Sequence, residues 1–275
     1  MGLGPHGFHR VVYYEWGDPN NDRVLLCVHG MTRNGRDFDY FAHALRDHYR
    51  VVCPDMPGRG KSDWLHVKED YDYPLYCADI AALIARLGVD TLDWVGTSMG
   101  GMIGSIIASM PNNPIRRLVL NDVGPFISKD ALVRIAKYVG ADPRFDSLEQ
   151  FEDYVRDMYV DFGDLTDEQW KHVARFYSRP TEDGKFGVNY DPKISWPLKK
   201  EPLEDVDLFP MYEAVSCPTL LLRGVKSGVL LADTARRMQN CGPKATLVEF
   251  EGVGHVPPLI AADQINVVKD WLLSE

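Results

Sequence analysis

The chain has 275 residues, with 30 Lys and Arg against 40 Asp and Glu, which gives a formal net charge of −10. An apolar fraction of 45% and a charged fraction of 25% are typical of a globular protein and exclude a disordered chain. The acidic balance argues against a nucleic-acid partner, because nucleic-acid binders present a basic face. No run of the sequence approaches the ~20 apolar residues of a transmembrane helix, so we expect no membrane contact.

The five cysteines are Cys27, Cys53, Cys77, Cys217 and Cys241. Their number is odd and no C-x-x-C occurs, so the sequence predicts neither a zinc site nor a disulfide framework. Neither a cluster of metal ligands nor a G-x-G-x-x-G after a strand is present, so we expect no metal and no nucleotide cofactor. The cysteines are interpreted as small buried hydrophobes in a reducing compartment. The first ten residues also lack the apolar segment of a secretory signal, and we expect a cytoplasmic protein.

Short apolar runs bounded by turn residues are typical of strands that are buried on both faces of a sheet. They occur at residues 24–28, 50–53, 91–95, 118–120, 219–222 and 246–250. Segments with a helical period lie at 76–87, 98–110 and 262–273. This alternation predicts an α/β protein with a mostly parallel sheet and helices on both of its faces. Residues 11–16 precede the first run without a helix between them and are predicted to form an antiparallel edge.

The alternation stops after Pro125. From residue 126 to 213 helical patterns follow one another, at 129–139, 148–162 and 167–177. The sequence therefore predicts a core of residues 1–125 and 214–275 with a helical insertion at 126–213. Aromatic residues in the insertion either pack in its own core or line an apolar acyl pocket. They are Tyr138, Tyr154, Tyr159, Trp170, Phe176, Tyr177 and Trp196.

The strongest motif is Gly-Thr-Ser-Met-Gly at residues 96–100. An apolar strand leads into it and a helix of small residues leaves it, which is the context of a nucleophile elbow. Such a turn holds Ser98 at a strained backbone angle and presents its hydroxyl above the sheet. The flanking glycines are required because any side chain there would collide with a neighbouring strand or helix. Ser98 is therefore the candidate nucleophile.

A serine hydroxyl needs a positioned base, and His255 is the best placed of the eight histidines. It follows the last predicted strand, at the sheet edge where the active sites of α/β proteins form. Acyl transfer also needs hydrogen-bond donors for the oxyanion. We assign this role to the backbone amides of Met99, at a helix N-terminus, and of Met31, in the loop after the first run. His29 is predicted to shape that loop rather than to catalyse.

Together these motifs resemble the α/β-hydrolase superfamily over nearly the whole chain. The residues at 29–30, 55–62, 96–100 and 254–255 come in the family's order and spacing. The loop at 29–34 (His-Gly-Met-Thr-Arg-Asn) and the turn at 120–125 (Leu-Asn-Asp-Val-Gly-Pro) are most similar to those of bacterial esterase-like members. The resemblance implies an eight-stranded sheet, a helical cap inserted after the sixth strand, a serine nucleophile, a histidine base and an acid.

The chain departs from the family at the acid. Relatives tend to read Ser-Asp-x-Leu after the seventh strand, whereas Gly228 stands here at the position of the aspartate. Three hypotheses are open: Asp122 supplies the acid from the end of the sixth strand, the triad is impaired at position 228 natively or by design, or Asp233 reaches back from the next helix. The question matters because an imidazole without its carboxylate can lose ~10⁴ in kcat.

The leading prediction is a cofactor-free carboxylic-ester hydrolase with a catalytic triad of Ser98, His255 and Asp122. Its expected substrate is a small, apolar ester, and the sequence indicates no oligomeric state. A carbon–carbon bond hydrolase, a lactonase and a perhydrolase are alternatives on the same fold, because the fold does not fix the reaction. A non-catalytic ligand-binding homologue with an incomplete triad is a further alternative, which Gly228 favours.

Overall fold

The computed structural model describes residues 1–199 and 202–274. Its centre is a seven-stranded sheet. In chain order its strands are β1 (Tyr13–Trp16), β2 (Val24–Val28), β3 (Arg50–Pro54), β4 (Leu92–Thr97), β5 (Ile115–Asn121), β6 (Thr219–Gly224) and β7 (Thr246–Phe250). Their spatial order is β7-β6-β5-β4-β2-β3-β1, and all neighbours are parallel except β1, which is antiparallel to β3. The six predicted strands and the antiparallel edge are thus confirmed.

In chain order, the α-helices of the described residues are α1 (Asp39–Leu45), α2 (Tyr73–Leu87), α3 (Met99–Ala108), α4 (Lys129–Ala136), α5 (Leu148–Met158), α6 (Asp167–Tyr177), α7 (Phe209–Tyr212), α8 (Ala232–Met238) and α9 (Ala262–Leu273). Helices α4 to α7 lie between β5 and β6 along the chain, and the other five cover the two faces of the sheet. Short 3-10 helices occur at Gly35–Phe38, Lys68–Asp70, Val160–Phe162 and Pro192–Lys199. Helices α2, α3 and α8 share one apolar core with the sheet, whereas α1 and α9 share the other. Leu25 and Leu26 in β2 point into opposite cores and are both fully buried, which explains why such runs are apolar without alternation.

The expected number of eight strands is wrong, since seven strands form the sheet in the described residues. Two N-terminal strands, Gly2–Gly4 and Gly7–His9, pair with each other as an antiparallel hairpin. The hairpin lies against α2, where His9 Nε2 is 2.8 Å from Asp79 Oδ2. Because the hairpin's hydrogen bonds are formed between its own strands, it does not extend the sheet beyond β1.

Residues 126–213 lie between β5 and β6 and are called the inserted segment below. The predicted helical patterns are confirmed as α4, α5 and α6, within a few residues at their ends. The segment also contains short strands that the sequence did not indicate, because two- or three-residue pairings have no recognisable period. Those strands are Phe126–Ile127 with Val206–Asp207, and a separate sheet of Arg144–Phe145, Ser178–Pro180 and Phe186–Val188. Throughout the described residues they pair only with one another.

None of the helices in residues 1–199 and 202–274 is long and apolar enough to cross a membrane. The same residues contain no group of three or more His, Cys, Asp or Glu side chains arranged to hold a metal ion.

Candidate active site

Ser98 lies in the turn between β4 and α3, at the carboxyl edge of the sheet. Its backbone angles, φ 49° and ψ −111°, are ones that residues with a side chain rarely adopt, so the turn is strained. A Cβ atom at Gly96 would lie 2.4 Å from the Gly100 carbonyl oxygen, and one at Gly100 would lie 2.0 Å from the Val28 carbonyl oxygen. The predicted need for glycine on both sides of the serine is confirmed. The close packing holds the turn directly against β2.

His255 comes from the loop after β7 and contacts both other predicted triad residues. Its Nε2 atom is 3.1 Å from Ser98 Oγ, and its Nδ1 atom is 2.8 Å from Asp122 Oδ2. In this arrangement Nδ1–H donates to the carboxylate and Nε2 accepts from the serine hydroxyl. Asp122 directly follows β5 and is fully buried. The structure therefore brings together three side chains from three different strand ends.

The other two hypotheses for the acid do not agree with the geometry. Gly228 has no side chain, and a Cβ atom built there would lie 2.9 Å from Arg134 Nη2. Asp233 forms an ion pair with Arg236 on α8, and its side chain is 89% exposed. Asp122 is the carboxylate that the structure places against His255.

Asn121 is a residue of the site that the sequence analysis missed. Its Nδ2 atom donates to the Pro257 carbonyl oxygen at 2.8 Å and lies 3.2 Å from Thr97 Oγ1. These bonds tie the loop that carries His255 to the ends of β4 and β5. The sequence does contain a signal for this role, because an amide side chain at the end of a buried strand needs hydrogen-bond partners from neighbouring segments. Asn121 therefore positions the histidine loop next to Asp122.

Met31 and Met99 both line the cavity in front of Ser98. Within the described part of the chain, neither backbone N–H donates to a protein acceptor. Met99 is the first residue of α3, where free amides and the helix dipole favour negative charge. Two backbone amides without a protein acceptor in the described residues, in the lining of the cavity that contains Ser98, are suited to an oxygen atom that develops negative charge.

His29 is fully buried beneath the loop that carries Met31. Its Nδ1 atom donates to the Gly30 carbonyl oxygen at 2.7 Å, and its Nε2 atom accepts from the Met56 amide at 2.9 Å. Burial lowers the pKa of His29 to about 3, so the imidazole is neutral at pH 7. His29 thus shapes the loop, as expected, and does not contact Ser98.

A cavity of about 720 Å³, called the main cavity below, opens in front of Ser98. Its volume lies within the range of small-ligand sites. The core contributes Met31, Met99, Met102 and Tyr76, and the inserted segment contributes Leu132, Ile135, Tyr138, Tyr159 and Trp196. Two other residues of the predicted aromatic set, Trp170 and Tyr177, are buried in the segment's interior. Some of the aromatic residues singled out in the sequence therefore line the main cavity, and others pack inside the segment.

Comparison with known proteins identifies the family. Residues 23–262 match the sequence model of the α/β hydrolase fold. A 3-hydroxybutyrate-oligomer hydrolase from Cupriavidus necator is 43% identical, over 98% of this chain and 94% of the relative. The structure is similar to the crystal structure of a candidate hydrolase from Rickettsia typhi, with a TM-score of 0.91 and 34% identity over 96% of this chain and 91% of that chain. It is also similar to the crystal structure of an α/β hydrolase from Novosphingobium aromaticivorans, with a TM-score of 0.87 and 32% identity over 98% of this chain and 95% of that chain. The chain belongs to the α/β-hydrolase family.

Proposed function

We propose that this protein is a serine hydrolase that cleaves carboxylic esters through an acyl-enzyme intermediate. Ser98 acts as nucleophile, His255 as general base and then acid, and Asp122 as the carboxylate that orients the imidazole. The observation that carries the proposal is the continuous set of contacts from Ser98 Oγ to His255 (3.1 Å) and from His255 to Asp122 (2.8 Å), in the wall of a ligand-sized cavity. These contacts favour catalysis over the non-catalytic alternative that Gly228 had favoured.

In the first half of the reaction, Ser98 Oγ attacks the ester carbonyl carbon while its proton moves to His255 Nε2. The buried Asp122 carboxylate stabilises the imidazolium that forms. Negative charge on the former carbonyl oxygen is held by the backbone amides of Met31 and Met99. The intermediate then expels the alcohol, whose oxygen receives the proton from His255.

In the second half, a water molecule gives a proton to His255 Nε2 and attacks the acyl carbon. Collapse of this intermediate releases the carboxylic acid, and the proton returns to Ser98 Oγ. The same two amides hold the oxyanion in both halves, so one arrangement of groups serves both steps.

The inserted segment acts as a cap in this proposal. It contributes one wall of the main cavity, including Leu132 and Ile135, and the core contributes the reacting side chains. A wall of apolar side chains favours an apolar acyl group and excludes water from it. The segment therefore selects the acyl part of the substrate.

For the substrate class we propose esters of short hydroxy acids. The support is the 43% identity to the Cupriavidus necator protein, which is named for 3-hydroxybutyrate oligomers. A main cavity of about 720 Å³ has room for an ester with two such units. Simple neutral esters fit the same site and serve as general substrates for a test.

The test compares the wild-type protein with Ser98→Ala on p-nitrophenyl acetate, p-nitrophenyl butyrate and the 3-hydroxybutyrate dimer. A matched control is Ser109→Ala, which removes a hydroxyl just beyond the other end of α3. We expect turnover by the wild type and by Ser109→Ala, and loss of turnover in Ser98→Ala. Equal turnover by Ser98→Ala, or a folded wild type without activity on any of the three esters, contradicts the proposal. Activity only on a lactone, a carbon–carbon bond substrate or a peroxide would assign one of the alternative reactions.

A further inference from the structure

A second cavity, called the side pocket below, meets the main cavity at the candidate base. Its volume is about 250 Å³. His255, Tyr138 and Tyr159 line both cavities, so the two spaces adjoin at the imidazole. The side pocket has further walls formed by Arg134 on α4 and by Gly228 in the loop after β6. The mechanism above makes no use of this space.

The charged side chains of the side pocket are Arg134, Lys226 and Asp161. Lys226 Nζ and Asp161 Oδ1 are 3.3 Å apart and compensate each other. Arg134 has no carboxylate partner among the described residues, and its Nη2 atom donates to the Gly228 carbonyl oxygen at 2.5 Å. The side pocket therefore carries one uncompensated positive charge in a chain of net charge −10.

The main cavity has the opposite charge at its exposed side chains. Glu69, Asp72, Glu204 and Asp205 line it and are all exposed to solvent. A carboxylate on the substrate is repelled by these groups and attracted by Arg134. The two cavities thus differ in the kind of substrate group that each accommodates.

The chemistry of ester cleavage places the leaving alcohol on the side of the histidine, because His255 Nε2 must protonate the alkoxide oxygen. We propose that the side pocket binds the leaving alcohol and that Arg134 binds a carboxylate carried by that alcohol. The preferred leaving group is then a hydroxy-carboxylic acid. This inference rests on the proposed esterase function and extends it to the other end of the substrate.

The glycine at position 228 acquires a role in this arrangement. A Cβ atom at Gly228 would lie 2.9 Å from Arg134 Nη2, so an aspartate side chain there would meet the guanidinium and pair with it. Because Asp122 already contacts His255, position 228 is not needed for an acid and leaves Arg134 available to the substrate.

The experiment uses two substrates with the same acyl group, the 3-hydroxybutyrate dimer with a free carboxylate and the primary amide of that dimer. We expect Arg134→Gln to raise KM about fivefold for the free acid and to leave KM for the amide unchanged, as for a partly exposed ion pair. Arg134→Lys should restore most of the affinity. Lys137→Gln, which removes an equal charge just after α4 and outside the side pocket, is the matched control and should change neither KM.

Gly228→Asp gives a second test, because it adds a carboxylate beside Arg134 without removing the guanidinium. It should raise KM for the free acid about as much as Arg134→Gln does and raise KM for the amide less, because only the free acid loses an ion pair with Arg134. Equal effects of Arg134→Gln on both dimers would indicate a structural role and overturn the assignment, as would no effect on either. If the wild type cleaves none of the esters, the proposed function itself fails and the side-pocket assignment fails with it. Activity on p-nitrophenyl butyrate without any discrimination between acid and amide overturns only the side-pocket assignment.

Discussion

The two walls of the main cavity are constructed in different ways. On the core side, nine of the ten residues of α3 are buried, and the neighbouring strand β4 is buried along its whole length. On the side of the inserted segment, α4 buries only Ala131 of its eight residues, and the residues that it presents to the cavity, Leu132 and Ile135, are half-buried. The core wall is thus held by packing on several sides, whereas α4 presents side chains whose replacement disturbs fewer neighbours.

This difference indicates that the two walls have different functions. Catalysis requires reacting groups to be held within a fraction of an ångström, which a densely packed strand edge provides. Substrate preference requires a surface of suitable shape, which lightly buried helices provide. We therefore expect substitutions in the core wall to change kcat or stability, and substitutions in the inserted segment to change selectivity.

The largest effect is expected for Ser98→Ala. Removal of the proposed nucleophile should lower kcat for p-nitrophenyl butyrate by at least ~10⁴-fold and abolish labelling by a fluorophosphonate probe. The melting temperature should stay close to that of the wild type, because the change removes one hydroxyl at the cavity wall. Labelling and turnover are measured on the same preparations. Labelling of Ser98→Ala at the wild-type level would show that another residue is the nucleophile.

The next largest effect is expected for Asp122→Asn. An amide at this fully buried position holds the imidazole of His255 in the wrong tautomer, and kcat should fall by about 10³–10⁴-fold with little effect on folding. Gly228→Asp should leave kcat for p-nitrophenyl butyrate nearly unchanged, since the acid is already supplied. The reverse pair of results, an unchanged kcat in Asp122→Asn and a large increase of kcat in Gly228→Asp, would instead indicate an impaired triad. Both variants are compared by steady-state kinetics beside circular dichroism spectra.

The next effect concerns the stability of the core, which we expect to depend on pH through the buried His29. Burial lowers its pKa in the folded protein to about 3, while the unfolded chain binds the proton near 6.5. Between these two values the unfolded state holds more protons, so stability is lost as the pH falls below about 6.5. From pH 7 to pH 5 this contribution amounts to about 2 kcal/mol.

The measurement compares urea unfolding of the wild type and His29→Gln at both pH values. Glutamine does not titrate, so the stability advantage of the wild type over the variant should shrink by that amount at pH 5. A difference between the two proteins that does not vary with pH would show that His29 keeps an ordinary pKa in the fold.

The smallest effect is expected in the inserted segment, from Leu132→Ala. Leu132 lines the main cavity, and its truncation should shift the kcat/KM ratio toward longer p-nitrophenyl acyl esters by about tenfold. Val133→Ala is the matched control, because Val133 is exposed on the same helix and does not line either cavity. A large fall in melting temperature for Leu132→Ala would contradict the proposed difference between the two walls.

Local features of the sequence were sufficient to predict much of this fold. The six strand runs and the helices α4 to α6 were predicted because burial on two faces and helical periodicity are visible within a few residues. The strained turn at Ser98 was also predictable, since the glycines that permit it are its direct neighbours. The number of strands was not, because whether residues 2–9 join the sheet or pair with themselves depends on their contacts with α2.

The sequence by itself therefore determined the fold class, the elbow serine and the order of the candidate site residues along the chain. Only the tertiary structure decided which carboxylate meets His255, since Asp122 lies 133 residues earlier and the two positions meet through the order of strands in the sheet. The role of Asn121, the apolar main cavity and the place of Arg134 in the side pocket were likewise decided by tertiary contacts. Local patterns reflect the burial of each segment, whereas a site is defined by distances between segments that no local pattern contains.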